Sequence, residues 1–218
     1  LLLALPGPTS AKAPAALAFT QQGSLRTSME TSRWVPFSAT HTVRPLAREF
    51  EWRARVRMGP LVYLSIEDSF RLGVGSSEAR FGWLRLSHAE DTPEVNAGSL
   101  HRFLAEAVFC PWALLPCPAL KWEPIDNARA LATLTVGATT VSLEFRFAQG
   151  GEVSSVYTAG RWGRFEGKYF QVPWECHFQD YELRGGVLAP SYGEVGWWRA
   201  AQLELVWKGS VASRRTTV

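Results

Sequence analysis

Four side chains of this 218-residue chain have the chemistry for general acid–base work: His41, Asp68, Glu106 and Asp180. An imidazole or carboxylate held away from bulk water can exchange a proton near neutral pH. Three of them continue apolar stripes of period two. His41 follows Val35, Phe37 and Ala39, Asp68 follows Val62, Leu64 and Ile66, and Asp180 follows Trp174, Cys176 and Phe178. A carboxylate in phase with an apolar face either ends a strand, where the face has reached solvent, or sits in a cavity paired with an Arg, with His41 or with a ligand. Glu106 stands one helical turn after Arg102, so a surface ion pair is its simplest reading. A pocket-facing role for Glu106 requires a helix buried on two sides, which Phe109 on the same side permits.

The stronger catalytic signatures are absent. There is no G-x-S-x-G elbow, no H-E-x-x-H and no phosphate loop, and no cofactor or metal is implied. Gly73-Val74-Gly75 reads as a turn, and His41, His88, His101 and His177 are scattered. Cys176-His177 has the composition of a nucleophile and its base. Adjacent strand residues point to opposite faces, however, so the pair reads as a buried thiol beside an exposed imidazole. Cys110, Cys117 and Cys176 form neither a disulfide framework nor a zinc pattern. They favour a reducing, cytoplasmic compartment. The leucine-rich start and Ala11-Lys12-Ala13, which fits a signal cleavage site, give the alternative of export.

Aromatic residues make up 12% of the chain, including ten Trp. Trp52, Trp83, Trp174 and Trp198 can all lie on inward faces. Singly each reads as core. Together with Cys176 they would wall a cavity for an apolar or amphipathic small molecule. The net charge is only +3. The densest basic run, Arg53, Arg55 and Arg57, shares its face with Glu49 and Glu51, so no nucleic-acid stripe is present. No apolar run approaches the ~20 residues of a transmembrane helix.

The elements that must position these residues are mostly strands. Phe50, Trp52, Ala54, Val56 and Met58 alternate with charged neighbours, and Val141–Phe147, Trp174–Asp180 and Leu203–Trp207 repeat the pattern. Gly59-Pro60, Val136-Gly137, Gln149-Gly150-Gly151 and Arg184-Gly185-Gly186 supply turns between antiparallel neighbours. One segment differs. Leu100, Phe103, Leu104, Ala107 and Val108 have helical spacing, predicting an amphipathic helix over 99–109 with Ser99 as N-cap and Pro111 as its stop. The expectation is a mainly β chain: a strongly curved antiparallel sheet, half-barrel or barrel, of about ten to twelve strands, with the inserted helix on its concave side. A two-sheet sandwich is the alternative. Residues 1–16 read as a loop-like segment, 17–208 as a single β-rich domain, and 209–218, with Arg214-Arg215, as a flexible tail.

Gly98-Ser99-Leu100-His101-Arg102-Phe103-Leu104-Ala105-Glu106-Ala107, then Pro111-Trp112-Ala113-Leu114-Leu115-Pro116 and Trp122-Glu123, resembles an uncharacterised bacterial family of hypothetical proteins that carry a domain of unknown function. The resemblance continues through Gln22-Gly23, Phe50-x-Trp52-x-Ala54, Thr139–Phe145, Pro173-Trp174-Glu175, Asp180-Tyr181 and Glu194-Val195-x-Trp197, covering residues 17–208. Residues 6–16 depart from it, because the family has a more charged helix there. It implies a stand-alone bacterial domain in which Trp52, Asp68, Glu106, Trp174, Asp180 and Glu194 form a shared constellation. Glu194 thereby joins the acid–base candidates, and no activity comes with the family. In architecture alone, a curved sheet with one helix resembles lipoprotein-carrier half-barrels, and fold does not imply function. The first functional expectation is binding of a hydrophobic small molecule in an aromatic-lined cavity. The alternative is a cofactor-independent cyclase, isomerase, lyase or hydrolase that uses the carboxylates and His41. A protein-interaction module is the third.

Overall fold

Period-two alternation produces strands through most of the chain. In the computed structural model, which describes residues 13–184 and 186–217, the elements run β1 Ala16–Leu25, β2 Val35–Arg44, β3 Glu49–Arg57, β4 Tyr63–Arg71, β5 Val74–Phe81, β6 Leu84–Glu90, α1 Pro93–Glu106, β7 Leu120–Pro124, β8 Arg129–Val136, β9 Thr139–Phe147, β10 Val153–Phe165, β11 Lys168–Arg184, β12 Val187–Arg199 and β13 Gln202–Thr217. All thirteen strands belong to one antiparallel sheet, slightly more than the ten to twelve expected. Its spatial order is β6-β5-β4-β3-β2-β1-β13-β12-β11-β10-β9-β8-β7. Two meanders thus meet at a β1–β13 seam in the middle of the sheet. The sheet curls into a half-barrel, and its two edges, β6 and β7, are joined in sequence by the segment that carries α1. The sandwich and the closed barrel are both excluded by this single open order.

The helix lies across the concave face, against β4, β5, β9 and β10. It begins six residues earlier than the sequence predicts. Thr92, in extended conformation, accepts a hydrogen bond from the Val95 N–H, and Pro93 occupies the first turn, where a missing N–H costs nothing. Ser99 is therefore an interior residue and not the cap. The helix ends at Glu106, and residues 107–109 and 111–114 continue as 3-10 turns. Helix and sheet touch at Gly75, where a Cβ would meet the Val95 carbonyl oxygen and the Ser99 hydroxyl, each at 2.7 Å. The core lies between this helix and the concave face, built from Phe19, Phe50, Phe70, Leu100, Leu104, Leu143 and Phe145, none more than 1% exposed.

Residues 209–217 do not form a flexible tail. They complete β13, pairing Gly209 with Gly23 and Arg214 with Phe19, and Arg214 donates to the Pro190 carbonyl. The candidate leader, including Ala11 and Lys12, lies outside the described residues. Among the described residues no helix is long and apolar enough to cross a membrane. Gly73 sits in the β4–β5 turn with φ +86°, whereas Val74 and Gly75 already belong to β5.

Candidate functional site

Antiparallel register lines up one row of side chains on the concave face of the first meander. Phe19 opposes His41, His41 opposes Trp52, Trp52 opposes Asp68 and Asp68 opposes Ser77. Above this row the helix presents Arg102 and Glu106. The Arg102 guanidinium donates to Asp68 through Nη1 at 2.5 Å and to Glu106 through Nε at 2.8 Å. It also stacks 4.7 Å from the Trp52 ring centre. Ser77 donates to the other Asp68 oxygen at 2.6 Å, and Trp52 is held from behind by Gln21 at 2.8 Å. Burial disfavours the Arg102 charge, but Glu106 and Asp68 outweigh it and the guanidinium pKa rises. The Arg102–Glu106 pair is therefore not a solvated surface pair. The helix lies in a concave sheet, so its polar stripe also meets protein.

His41 completes the cluster from below. Its Nε2 is 3.3 Å from Glu106, yet neither ring nitrogen has an aligned hydrogen bond. The ring is 0% exposed and packs against Phe19 and Phe50. Burial pushes its pKa down to about 4, with Glu106 pulling the other way. At neutral pH His41 is an uncharged, fully buried imidazole.

The facing wall comes from β10 and β11. Strict alternation from Val156 would turn Arg161 to the convex side. Between Thr158 and Arg161 the β10–β11 register slips by one residue, pairing Thr158 with Trp174 but Arg161 with Val172. The extra residue re-aims Arg161 onto the Trp174 face. There its guanidinium lies 4.7 Å from the Trp174 ring centre and 5.1 Å from that of Trp197. Nη2 donates to the helix carbonyl of Gly98 at 3.0 Å. Its Nε is buried with no partner, and among the described residues no carboxylate lies within 4.0 Å of it. Burial, then the nearby Arg102, lower its pKa to about 10.

Between these walls is a cleft of about 270 Å³ lined by Phe50, Asp68, Arg102, Arg161, Trp162 and Trp197, among others. It shares His88, Ala89, Arg164 and Tyr169 with a wider, open depression of about 700 Å³. Its floor is polar and paired, its sides are aromatic, and its unsatisfied group is a cation.

The structure brings together His41, Asp68 and Glu106 of the acid–base candidates, with Trp52 beside them, and Trp174 lies beneath Arg161. The others lie elsewhere. Asp180 is exposed with φ +55°, which takes it out of phase with Trp174 and Phe178. Glu194 is on the convex face and accepts from the Tyr192 hydroxyl at 2.7 Å. Trp198 is also convex and donates to Glu175 at 2.8 Å; the inward indole is its neighbour Trp197, opposite Trp174. Trp83 is 91% exposed at the β5–β6 hairpin tip, where Gly82 (φ +57°) makes the turn, and it walls no cavity. Cys176 is buried on the concave face, where burial raises its thiol pKa well above the usual range, and it does not line the cleft. Its neighbour His177 faces the convex side, 3.0 Å from Glu175. Glu175 is 5% exposed and held by Arg146, His177 and Trp198, a convex-side network that the alternation gave no reason to expect. The alternation likewise hid Arg161, whose one sequence mark is the small pair Ala159-Gly160 before it.

Among the described residues no group of three or more His, Cys, Asp or Glu is placed to hold a metal ion. No curated protein and no solved structure matches this chain. A family model does, over residues 3–214, and the chain belongs to that family, one of unknown function (DUF6920).

Proposed function

We propose that this protein binds an amphipathic small molecule in the cleft between α1 and the two flanking β-hairpins. The observation that carries the reading is the lining: Phe50 and Trp197 form apolar walls around the charged pair Arg102–Asp68 and the half-buried cation Arg161. Sites for small ligands combine rigid aromatic walls with a few convergent polar groups. The volume, about 270 Å³, lies just under the ~300 Å³ at which ordinary ligand pockets begin, so the cleft suits a short-chain or single-ring molecule. The test is quenching of intrinsic tryptophan fluorescence and displacement of a hydrophobic dye by short amphiphiles. Native mass spectrometry of the purified chain complements it. Saturable binding that Trp197→Ala weakens supports the reading, and no competable binding removes it.

The acid–base reading has one specific observation in its favour: Asp68, Glu106 and His41 are chained through Arg102 and direct approach. Of these three, only Asp68 lines the cleft, and both its oxygens are already taken, one by Arg102 and one by Ser77. A proton relay from His41 would have to pass Glu106. Binding is therefore placed first. Turnover of a bound ligand that His41→Phe abolishes, with affinity retained, would reverse the order.

A further inference from the structure

We infer that Arg161 is the headgroup site of the cleft and that the ligand it selects is an amphipathic monoanion, a carboxylate in chemical class. The inference rests on the small-molecule reading above and names the polar end of that molecule. A half-buried guanidinium with a buried, idle Nε–H and no carboxylate is rare, because charge taken out of water is costly unless paired. Arg102, on the opposite wall, obeys the rule with two carboxylates. Arg161 breaks it. Its one directed hydrogen bond goes to the Gly98 carbonyl, its Nε–H is buried and idle, and its remaining compensation comes from the faces of Trp174 and Trp197.

The placement of Arg161 is constructed. A one-residue slip in β10 turns it inward, and two indoles hold its plane from within the sheet. A planar fork locked in this way is preorganised for a planar oxyanion. Asp68 across the cleft and Glu106, which reaches Arg102 from outside the lining, set the charge of that ligand, while Glu94 and Arg164 of the lining offset each other. With Arg102, Asp68 and Glu106 form a group of net charge −1, and His41 adds nothing because it is neutral. One negative charge placed against Arg161 is tolerated. A second, as on a phosphate dianion, would stand against the two carboxylates. The apolar remainder of the ligand follows Trp197 towards Ala89 and Tyr169, where the cleft opens.

The experiment is calorimetric titration of the full chain with octanoate, octanol and octyl phosphate at pH 8. Octanoate is expected to bind at least about tenfold more tightly than octanol, the increment of one charge-assisted hydrogen bond, and more tightly than octyl phosphate. Arg161→Gln should erase the octanoate advantage while octanol binding stays within about twofold. Arg161→Lys should keep only part of it, because an ammonium lacks the fork. Equal affinities of the natural protein for octanoate and octanol overturn the headgroup inference and leave the small-molecule reading standing. Binding of neither overturns both. Tighter binding of octyl phosphate than of octanoate overturns the monoanion assignment. If circular dichroism shows Arg161→Gln unfolded, the octanoate-to-octanol ratio of the natural protein and of Arg161→Lys decides.

Discussion

His41 and His101 are the residues through which acid should act on this fold. Burial holds both pKa values down at about 4, with Arg161 adding to the effect at His101. In the unfolded chain each titrates near 6.5. Between pH 6.5 and 4 the unfolded state therefore binds protons that the folded state refuses, and stability falls as pH falls. Each histidine should remove about 3 kcal/mol across that window. Urea midpoints measured from pH 7 to pH 4 should show a slope approaching two protons, and His41→Phe, which keeps an aromatic ring against Phe19 and Phe50, should reduce it to one. Arg102 gives a second test at this scale. Arg102→Met leaves Asp68 and Glu106 beside each other without their cation and should cost about 3 kcal/mol in chemical denaturation. Asp68→Asn leaves the Arg102–Glu106 pair and should cost less.

Among the elements, β10 carries the most specific information. Deleting Gly160 removes the extra residue, so plain alternation from Thr158 should then hold Arg161 opposite Val172 on the Trp174 face. The deletion variant should therefore keep its preference for octanoate over octanol in the same titration, and its far-ultraviolet circular dichroism should stay β-rich. This slip also shows what could be read from the chain and what could not. Alternation at Phe50–Met58 and Val141–Phe147 reports which face is buried, and those strands lie where the pattern puts them. A bulge reverses faces without any change in composition, so Arg161 was invisible. The helix start was missed for a different reason. Asn96, Ala97 and Gly98 add no apolar periodicity, and the start is marked only by cap chemistry at Thr92-Pro93. At Trp197-Trp198 the signal was present and outweighed: Val195-x-Trp197 keeps phase with the inward row, whereas Trp198 faces Glu175. Of the five acid–base candidates, Asp68 and Glu106 share Arg102 and His41 approaches Glu106; Arg102 itself reads as solvent-facing because the sheet's curvature is not written in a helical wheel.

At the scale of the molecule, the sheet is ordered around its seam. Neighbours flank β1 and β13 on both sides, whereas β6 and β7 each keep one free edge, and β6 is exposed along almost its whole length. Amide exchange followed by mass spectrometry should find β6 and β7 exchanging first and β1, β2, β12 and β13 last. The reverse order would mean that the two meanders separate before their edges fray. The seam has a consequence during synthesis. The pairing of Ala16 with Thr217 joins an early strand to one made after all the others described. At about 5–20 residues per second the ribosome needs on the order of ten seconds to pass from β6 to the close of β13. Through that interval the nascent chain carries β1 with a bare hydrogen-bonding edge and half a cup with nothing across its mouth. That edge stays open until β13 has been made and can pair with it.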